Sequence, residues 1–373
     1  MITSKLKSKI KMLKTPNKVC IVSISLAKGG AERSVAMLTQ MLTEKGHEVH
    51  LVILNDEIDY EYSGEIFNLG KLKSKNDNLF SRLKRFVILR SYIKQHDFDY
   101  IIDNRGRRVA LKELFYLKYI YRQVKVIYLV RSFYIYAYFP KNKFVAKKMI
   151  QKAIKIVGVS KAITDKINIT FKTQKAITIY NPVQPFAEED LIHSHQEKYI
   201  LFLGRIDEYV KNLTLLLESY KLSKLAENNV VLKIIGDGDD KELIIDKIKQ
   251  LDLENQVEMI PFTAAVFLYL KNALFLTLTS RYEGFPRVLI EALSVGVPVI
   301  SVNCKSGPDE IIIHEKNGLL VENHNPEAFA DAMNRFILDK NLYQICKSNS
   351  KESVAHLNKD TIGKQWTKLL KDE

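Results

Sequence analysis

Twice along the chain a short run of β-forming residues ends at glycine and gives way to a helical repeat, and this alternation limits the fold more than any other feature. Lys18 to Ser25 (KVCIVSIS) reads as a strand, Lys28-Gly29-Gly30 as a turn and Ala31 to Gly46 as a helix. His47 to Leu54, Tyr100 to Asp103, Val124 to Val130 and Ile154 to Ser160 add strands with helical stretches between them. At Asn181-Pro182-Val183-Gln184-Pro185 the prolines interrupt any regular element, and the pattern then restarts. Its second round of strands is Tyr199 to Gly204, Val230 to Gly236, Gln256 to Ile260, Leu274 to Thr279 and Val297 to Val302. Strands separated by helices pair in parallel, because a parallel neighbour needs a long crossover. The expected fold is α/β, with two doubly wound, Rossmann-like domains facing a cleft. Their expected bounds are 1–180 and 198–355, with a hinge at 181–197 and a C-terminal helix at 356–373 that packs back on the first domain. A chain of 373 residues suits two such domains.

Composition narrows the setting. No run of about 18 apolar residues occurs, and the leader with Lys5, Lys7, Lys9 and Lys11 lacks the apolar centre of a signal peptide, so a cytoplasmic location is expected. Cys20, Cys304 and Cys346 are widely spaced and fit neither a disulfide framework nor a zinc site. Residues 1–180 hold 35 Lys and Arg against 14 Asp and Glu, so the basic charge is concentrated in the first half. Lys71 to Gln95 interleaves apolar residues with lysines and arginines, and Arg131 to Lys155 sets Phe133, Tyr134, Tyr136, Tyr138 and Phe139 beside Lys141, Lys143, Lys147 and Lys148. Both stretches suit the inner face of an anionic membrane, although an ordinary amphipathic helix with a solvated face gives the same pattern. Nucleic acid is the rival partner for a basic half; the chain lacks an RNP, helix-turn-helix or zinc signature, and no nucleic acid is expected.

The sharpest local pattern is Ser280-Arg281-Tyr282-Glu283-Gly284-Phe285-Pro286-Arg287-Val288-Leu289-Ile290-Glu291-Ala292. Pro286 suits a first helical turn, which places Glu283 in the preceding loop and Glu291 one to two turns along. A helix N-terminus attracts a diphosphate, and carboxylates at two depths accept hydrogen bonds from hydroxyls on either side of it. Gly29 and Gly30 permit close backbone approach to a phosphate at a second helix start. Asp237-Gly238-Asp239 has the form of a metal-binding D-x-D, but it ends a strand at a glycine turn and reads as a loop. No Ser-His-Asp or Cys-His set can be assembled, so hydrolysis is not favoured.

The Glu283–Glu291 block, with Ser294 to Ile300 after it, resembles the retaining GT-B glycosyltransferases of family 4 (group 1). The resemblance extends to Phe202-Leu203-Gly204-Arg205-Ile206 with Lys211-Asn212, to Ile234 to Gly238, to Ser306-Gly307-Pro308-Asp309-Glu310-Ile311-Ile312 and to Asn317 to Val321. It is looser at Lys28 to Arg33, Val157 to Lys161 and Ile179 to Val183. It implies a donor site of Gly29, Gly30, Arg205, Lys211, Glu283, Gly284, Phe285, Pro286 and Glu291. Within it Arg205 and Lys211 hold the diphosphate of a nucleotide-sugar, Glu283 the sugar and Glu291 the ribose; Glu283, Arg205 and Lys211 are the catalytic candidates. Arg131 and Ser132 are candidates on the acceptor side. Neither a cofactor nor a metal is implied. The chain departs from the family at Pro261-Phe262-Thr263 and the apolar Ala264 to Phe267, which puts base recognition in doubt. The implied reaction moves a hexose or N-acetylhexosamine, with UDP as carrier, onto a polysaccharide or polyprenyl-diphosphate-linked glycan. A nucleotide-sugar 2-epimerase, a sugar-binding module and a nucleic-acid-binding protein are the alternatives.

Overall fold

A computed structural model of the chain describes residues 16–27, 29–73, 77–183, 197–263 and 265–372. Lys28, Ala264, the basic leader and most of the expected hinge (184–196) lie outside the described residues. Seven strands form the first sheet: β1 (Lys18–Ser23), β2 (Glu48–Ile53), β3 (Glu65–Asn68), β4 (Tyr100–Asp103), β5 (Lys125–Val130), β6 (Ala153–Gly158) and β7 (Ala176–Thr178). Six form the second: β8 (Lys198–Leu203), β9 (Val230–Ile235), β10 (Val257–Ile260), β11 (Leu276–Leu278), β12 (Val299–Val302) and β13 (Gly318–Val321). Their orders are β3-β2-β1-β4-β5-β6-β7 and β10-β9-β8-β11-β12-β13. β1 runs parallel to β2 and β4, and β8 parallel to β9 and β11.

The strands expected from β-forming runs are all present, and β3, β7 and β13 were not foreseen. All three are edge strands of their sheets. Each has only three or four residues, too few to carry the apolar signal that marks a longer central strand. β3 (EIFN) has no buried residue, whereas β8 (KYILFL) is buried from its second residue onward.

The described residues fall into two compact units, one within the bounds Met1–Leu129, Tyr136–Ile156 and Gly363–Glu373, the other within Val130–Ile135 and Val157–Ile362. In the first, the end of the C-terminal helix (Lys359–Asp372) is tied to the sheet, since the Leu370 carbonyl accepts hydrogen bonds from Asn17 Nδ2 (3.0 Å) and the Tyr100 hydroxyl (3.0 Å). The second unit closes its apolar core around Phe202, Phe275, Ile300, Leu319 and Phe329, drawn from the sheet and the helices over it. All three cysteines are buried free thiols.

The first unit also buries a charge network at the end of β4. Asp103, Arg105, Arg107 and Glu113 are each at most 2% exposed. Arg105 makes a two-pronged contact with Asp103, at 3.0 Å through Nε and 2.8 Å through Nη2, and reaches Glu113 at 3.2 Å. Arg107 donates to the carbonyls of Asp103 (2.8 Å), Arg105 (2.7 Å) and Leu129 (2.8 Å), so one guanidinium fastens the loop after β4 to the end of β5. Burial opposes the Asp103 charge, yet Arg105 and Arg107 together hold its carboxyl below the ordinary range. Burial raises the Glu113 carboxyl. Removing one partner of a buried pair strands the others without water. Asp103→Ala should therefore lower the unfolding free energy by about 3–5 kcal/mol in urea titrations at neutral pH. Because the folded Asp103 carboxyl sits below its unfolded value of about 3.9, its contribution is present above that pH and is lost as pH falls through the folded value. The gap between wild type and variant should thus close only in strong acid. A neutral-pH loss below about 1 kcal/mol, as for a surface pair, would contradict the network's role.

Candidate active site

In each sheet the connections leave the first strand in opposite directions, so strand order reverses between β1 and β4 and between β8 and β11. The loops after the carboxyl ends of such neighbours diverge and leave room for a ligand. In the second unit those loops are Gly204 to Lys211, after β8, and Thr279 to Pro286, after β11.

After β8 the Asp207 side chain caps a single turn, Glu208–Lys211, by accepting from the Val210 N–H. Asn212 ends the turn with φ of 52°, a left-handed conformation that asparagine tolerates better than most residues. That reversal leaves Lys211 at the mouth of the loop, where its Nζ lies 2.6 Å from Glu283 Oε1. Ser280 Oγ donates to the same oxygen at 2.7 Å. The pair is mostly but not fully covered, at 18% and 14% side-chain exposure, so a ligand can reach both charges.

Arg281, which was not singled out from the sequence, holds this turn in place. It donates to the Glu208 carbonyl, to Asn212 Oδ1 (2.6 Å) and to the Tyr209 carbonyl (3.3 Å), and its own N–H bonds the Val210 carbonyl at 2.8 Å. Thr279 Oγ1 adds a bond to the Lys211 carbonyl at 3.0 Å. The strand-end residues beside Glu283 thereby fix the backbone that carries Lys211. The signal for this was available: a cation placed between Ser280 and Glu283, in a loop bordering an acidic turn.

Arg205 stands apart, 69% exposed at its side chain and paired with Asp207 at 3.0 Å rather than with Glu283. Glu291 is buried and accepts from Arg287 Nη2 at 2.9 Å, one turn earlier on the Arg287–Ser294 helix. Pro286 stands at the N-cap, one residue before the first turn in which it was expected; helix ends shift by a residue with the geometry of the cap. Phe285 is buried with its ring 4.8 Å from that of Tyr180. Only glycine fits at position 284, because a Cβ there would lie 2.1 Å from the Arg131 carbonyl oxygen. The Gly284 carbonyl is held by Ser306 Oγ at 2.7 Å.

Arg131 Nη1 donates to Asn181 Oδ1 at 2.9 Å, and Ser132 Oγ accepts from the Tyr134 N–H at 3.2 Å. Glu310 serves structure: its carboxylate accepts the first amides of the Lys161–Phe171 helix, Lys161 N at 2.7 Å and Ala162 N at 3.1 Å, and the Tyr180 hydroxyl at 3.0 Å. Burial and then the Glu310 charge push the Tyr180 phenol up to about 12. Gly29 and Gly30 belong to the first unit, as N-cap and first residue of the Gly30–Glu44 helix. Asp237 accepts from the Phe262 N–H at 2.9 Å, and no group of three or more His, Cys, Asp or Glu among the described residues is placed to hold a metal ion. Of the aromatic residues expected at a membrane, Phe139 is a core residue and Phe133 lies 3.7 Å beneath the Lys166 ammonium.

Chemically, Lys211, Glu283 and Ser280 supply an ammonium and a hydrogen-bonding carboxylate within one contact of each other, with Arg205 nearby in sequence and open to solvent. The cation suits an oxyanion and the carboxylate suits hydroxyl donors.

Residues 183–353 match the family model for glycosyl transferases group 1, and residues 28–185 that for glycosyltransferase family 4. A Campylobacter jejuni protein named N-acetylgalactosamine-N,N'-diacetylbacillosaminyl-diphospho-undecaprenol 4-alpha-N-acetylgalactosaminyltransferase is 29% identical over 95% of this chain and 99% of its own length. A second C. jejuni N-acetylgalactosaminyltransferase, named for a longer undecaprenol-linked glycan, is 25% identical over 95% of this chain and 98% of its own. Among solved structures, HepE of Anabaena in complex with UDP-glucose superposes with a TM-score of 0.77 at 18% identity, covering 96% of this chain and all of that one. At that identity the likeness shows the fold, two parallel-sheet α/β domains of the GT-B type.

The bonds around Arg281 define an expected outcome. Arg281→Met should free the 208–212 turn, so that amide hydrogen exchange there rises at least tenfold while exchange in β8 and β9 stays unchanged. Loss of bonds from a charged donor should also cost about 1.5–3 kcal/mol of stability. Unaltered exchange in the turn would show that Arg281 does not hold it.

Proposed function

We propose that this chain, which belongs to the group 1, family 4 glycosyltransferases, uses a UDP-hexose or UDP-N-acetylhexosamine to extend a polyprenyl-diphosphate-linked glycan or surface polysaccharide. In this reading it works as a peripheral enzyme at the inner face of the membrane. That it is a glycosyltransferase acting on lipid-linked or polysaccharide acceptors follows from the matching family models and the relatives. Epimerisation and nucleic-acid binding are not what those relatives share. The donor and the stereochemistry are the finer reading: the observation that supports a nucleotide-sugar donor is the Lys211–Glu283–Ser280 cluster at the loop after β11, where strand order reverses, and retention is proposed from the resemblance to the retaining family.

In the reaction proposed, the bond between the anomeric carbon and the β-phosphate oxygen of the donor breaks, and the acceptor hydroxyl oxygen bonds that carbon from the same face, so configuration is retained. The acceptor proton passes to the departing diphosphate, and no protein base is required. Negative charge builds on the leaving group, and Lys211 with the solvent-facing Arg205 stabilises it as fixed cations, without a metal. Glu283 takes the sugar hydroxyls as the diphosphate draws Lys211 away from it. Glu291, paired with Arg287, accepts from the ribose. The N-terminus of the Arg287–Ser294 helix faces the same negative charge. Arg131 and Ser132 remain candidates for the acceptor.

Purified protein mixed with UDP- and GDP-sugars and a lipid-linked acceptor should release UDP with one donor. Glu283→Gln should lower kcat about 100-fold or more while the affinity for UDP itself changes less than about threefold, because the carboxylate acts on the sugar. Equal loss in UDP affinity would place Glu283 on the nucleotide instead. GDP release in place of UDP release would overturn the donor assignment.

A further inference from the structure

Three packed helices of the first unit carry apolar side chains on the face turned away from the core. The Leu79–His96 helix buries Leu89 and Ile93, and Phe86 packs against Phe115 (tilted, 5.2 Å) and edge-on to Tyr116 (5.7 Å). Its other side exposes Phe80 (77%), Leu83 (48%) and Val87 (64%), at spacings of three and four residues that place them in one stripe. The same stripe continues into the exposed Arg90 and Lys94. Next to it, the Ala110–Phe115 helix and its continuation Tyr116–Ile120 expose Leu111 (80%), and the adjoining Lys143–Lys152 helix exposes Phe144 (63%). A helix that covers its core with one face and displays large apolar residues on another has two apolar contacts to make, and folding satisfies only one.

Charge identifies the second contact. Apart from Glu113, which is buried against Arg105, these helices contain no acidic residue, while lysines and arginines run through all three. Lys148 lies 4.6 Å over the Phe144 ring, an arrangement in which an aromatic group and an ammonium occupy the same depth of an interface. A protein partner would be expected to meet basic residues with specific acidic ones. A predominantly basic field, offset only where Asp77 pairs with Arg82 (3.1 Å) and Arg85 (2.5 Å) at the start of the first helix, around scattered, protruding apolar side chains instead suits a fluid anionic surface, into which such side chains insert. No helix among the described residues is long and apolar enough to cross a membrane.

We infer that this three-helix face docks on an anionic lipid bilayer, with Phe80, Leu83, Val87, Leu111 and Phe144 entering the headgroup boundary and the flanking lysines and arginines neutralising the lipid phosphates. The inference deepens the reading of a lipid-linked acceptor and rests on it. The segment Arg131 to Lys155 contributes through Phe144 and its lysines, not through Phe139 or Phe133.

The test is sedimentation of the full chain with vesicles of phosphatidylcholine, and with vesicles in which phosphatidylglycerol replaces part of it. Wild type should bind the anionic vesicles, release from them in high salt and ignore the neutral ones. Phe80→Ser/Leu83→Ser/Val87→Ser should weaken that binding about 100-fold, and Lys84→Glu/Lys94→Glu by at least tenfold. All of these side chains are exposed, so the thermal unfolding midpoint and UDP affinity should be unchanged in both variants, which reports that both units are folded. If wild type binds anionic vesicles and both variants bind equally well, the face is wrong while the lipid-acceptor reading stands. If wild type binds neither vesicle, docking is overturned; transfer to a detergent-solubilised lipid-linked acceptor then tests the acceptor reading on its own. Tighter binding to a polynucleotide than to anionic vesicles, lost in the lysine variant, would overturn the lipid assignment.

Discussion

Everything in the second unit depends on the reversal of strand order beside β8. Parallel strands joined by helices leave their loops at one edge of the sheet, and only where the order turns back do neighbouring loops part rather than cover one another. Because β8 and β11 are those neighbours, the turn carrying Lys211 and the loop carrying Glu283 rise side by side from buried strands. Residues 72 apart in sequence are thereby brought to 2.6 Å. The precision comes from the sheet below, since β8 and β11 are buried over nearly all their length and cannot shift without disturbing the core.

The charges of the protein divide by burial into two kinds. Arg105, Arg107, Asp103 and Glu113 in the first unit, and Arg287 with Glu291 in the second, are enclosed and neutralise one another. Glu310 similarly meets the amide end of a helix. Enclosed charges of this kind cost desolvation, and what they secure is a fixed backbone. Lys211, Glu283 and above all Arg205 keep contact with solvent. In the reaction proposed above, the exposed set meets the donor and the enclosed set keeps it in position. Arg281 links the two, a cation spent on carbonyl oxygens of the turn that presents Lys211.

The sequence made the central strands legible because β1, β8, β9 and β12 are apolar runs bounded by glycine or polar turns, and burial on both faces produces that signal. β3, β7 and β13 escaped it because each is a short edge, which needs no such run. Glu283 and Lys211 were legible through a family pattern rather than through chemistry: nothing in an ammonium and a carboxylate so far apart in sequence predicts that they touch. Arg281 was hidden in plain view, since its role depends on Asn212 turning the backbone left-handed, which a sequence does not display. The Asp103 network was missed for a related reason. Asn104-Arg105-Gly106-Arg107-Arg108 reads as a solvated basic loop, and only the fold shows that two of its three arginines are buried while Arg108 remains exposed.

The claim on which the account turns is that the Lys211–Glu283 pair is a donor site waiting for its ligand, and a structure determined with an intact UDP-sugar tests it most directly. The account predicts that Lys211 Nζ leaves Glu283 for a diphosphate oxygen, that Arg205 swings from Asp207 toward the same group, and that the Glu283 carboxylate lies within about 3 Å of a sugar hydroxyl. A donor bound with the Lys211–Glu283 contact unbroken and its sugar elsewhere would show that the pair is a structural ion pair, and the account would be wrong.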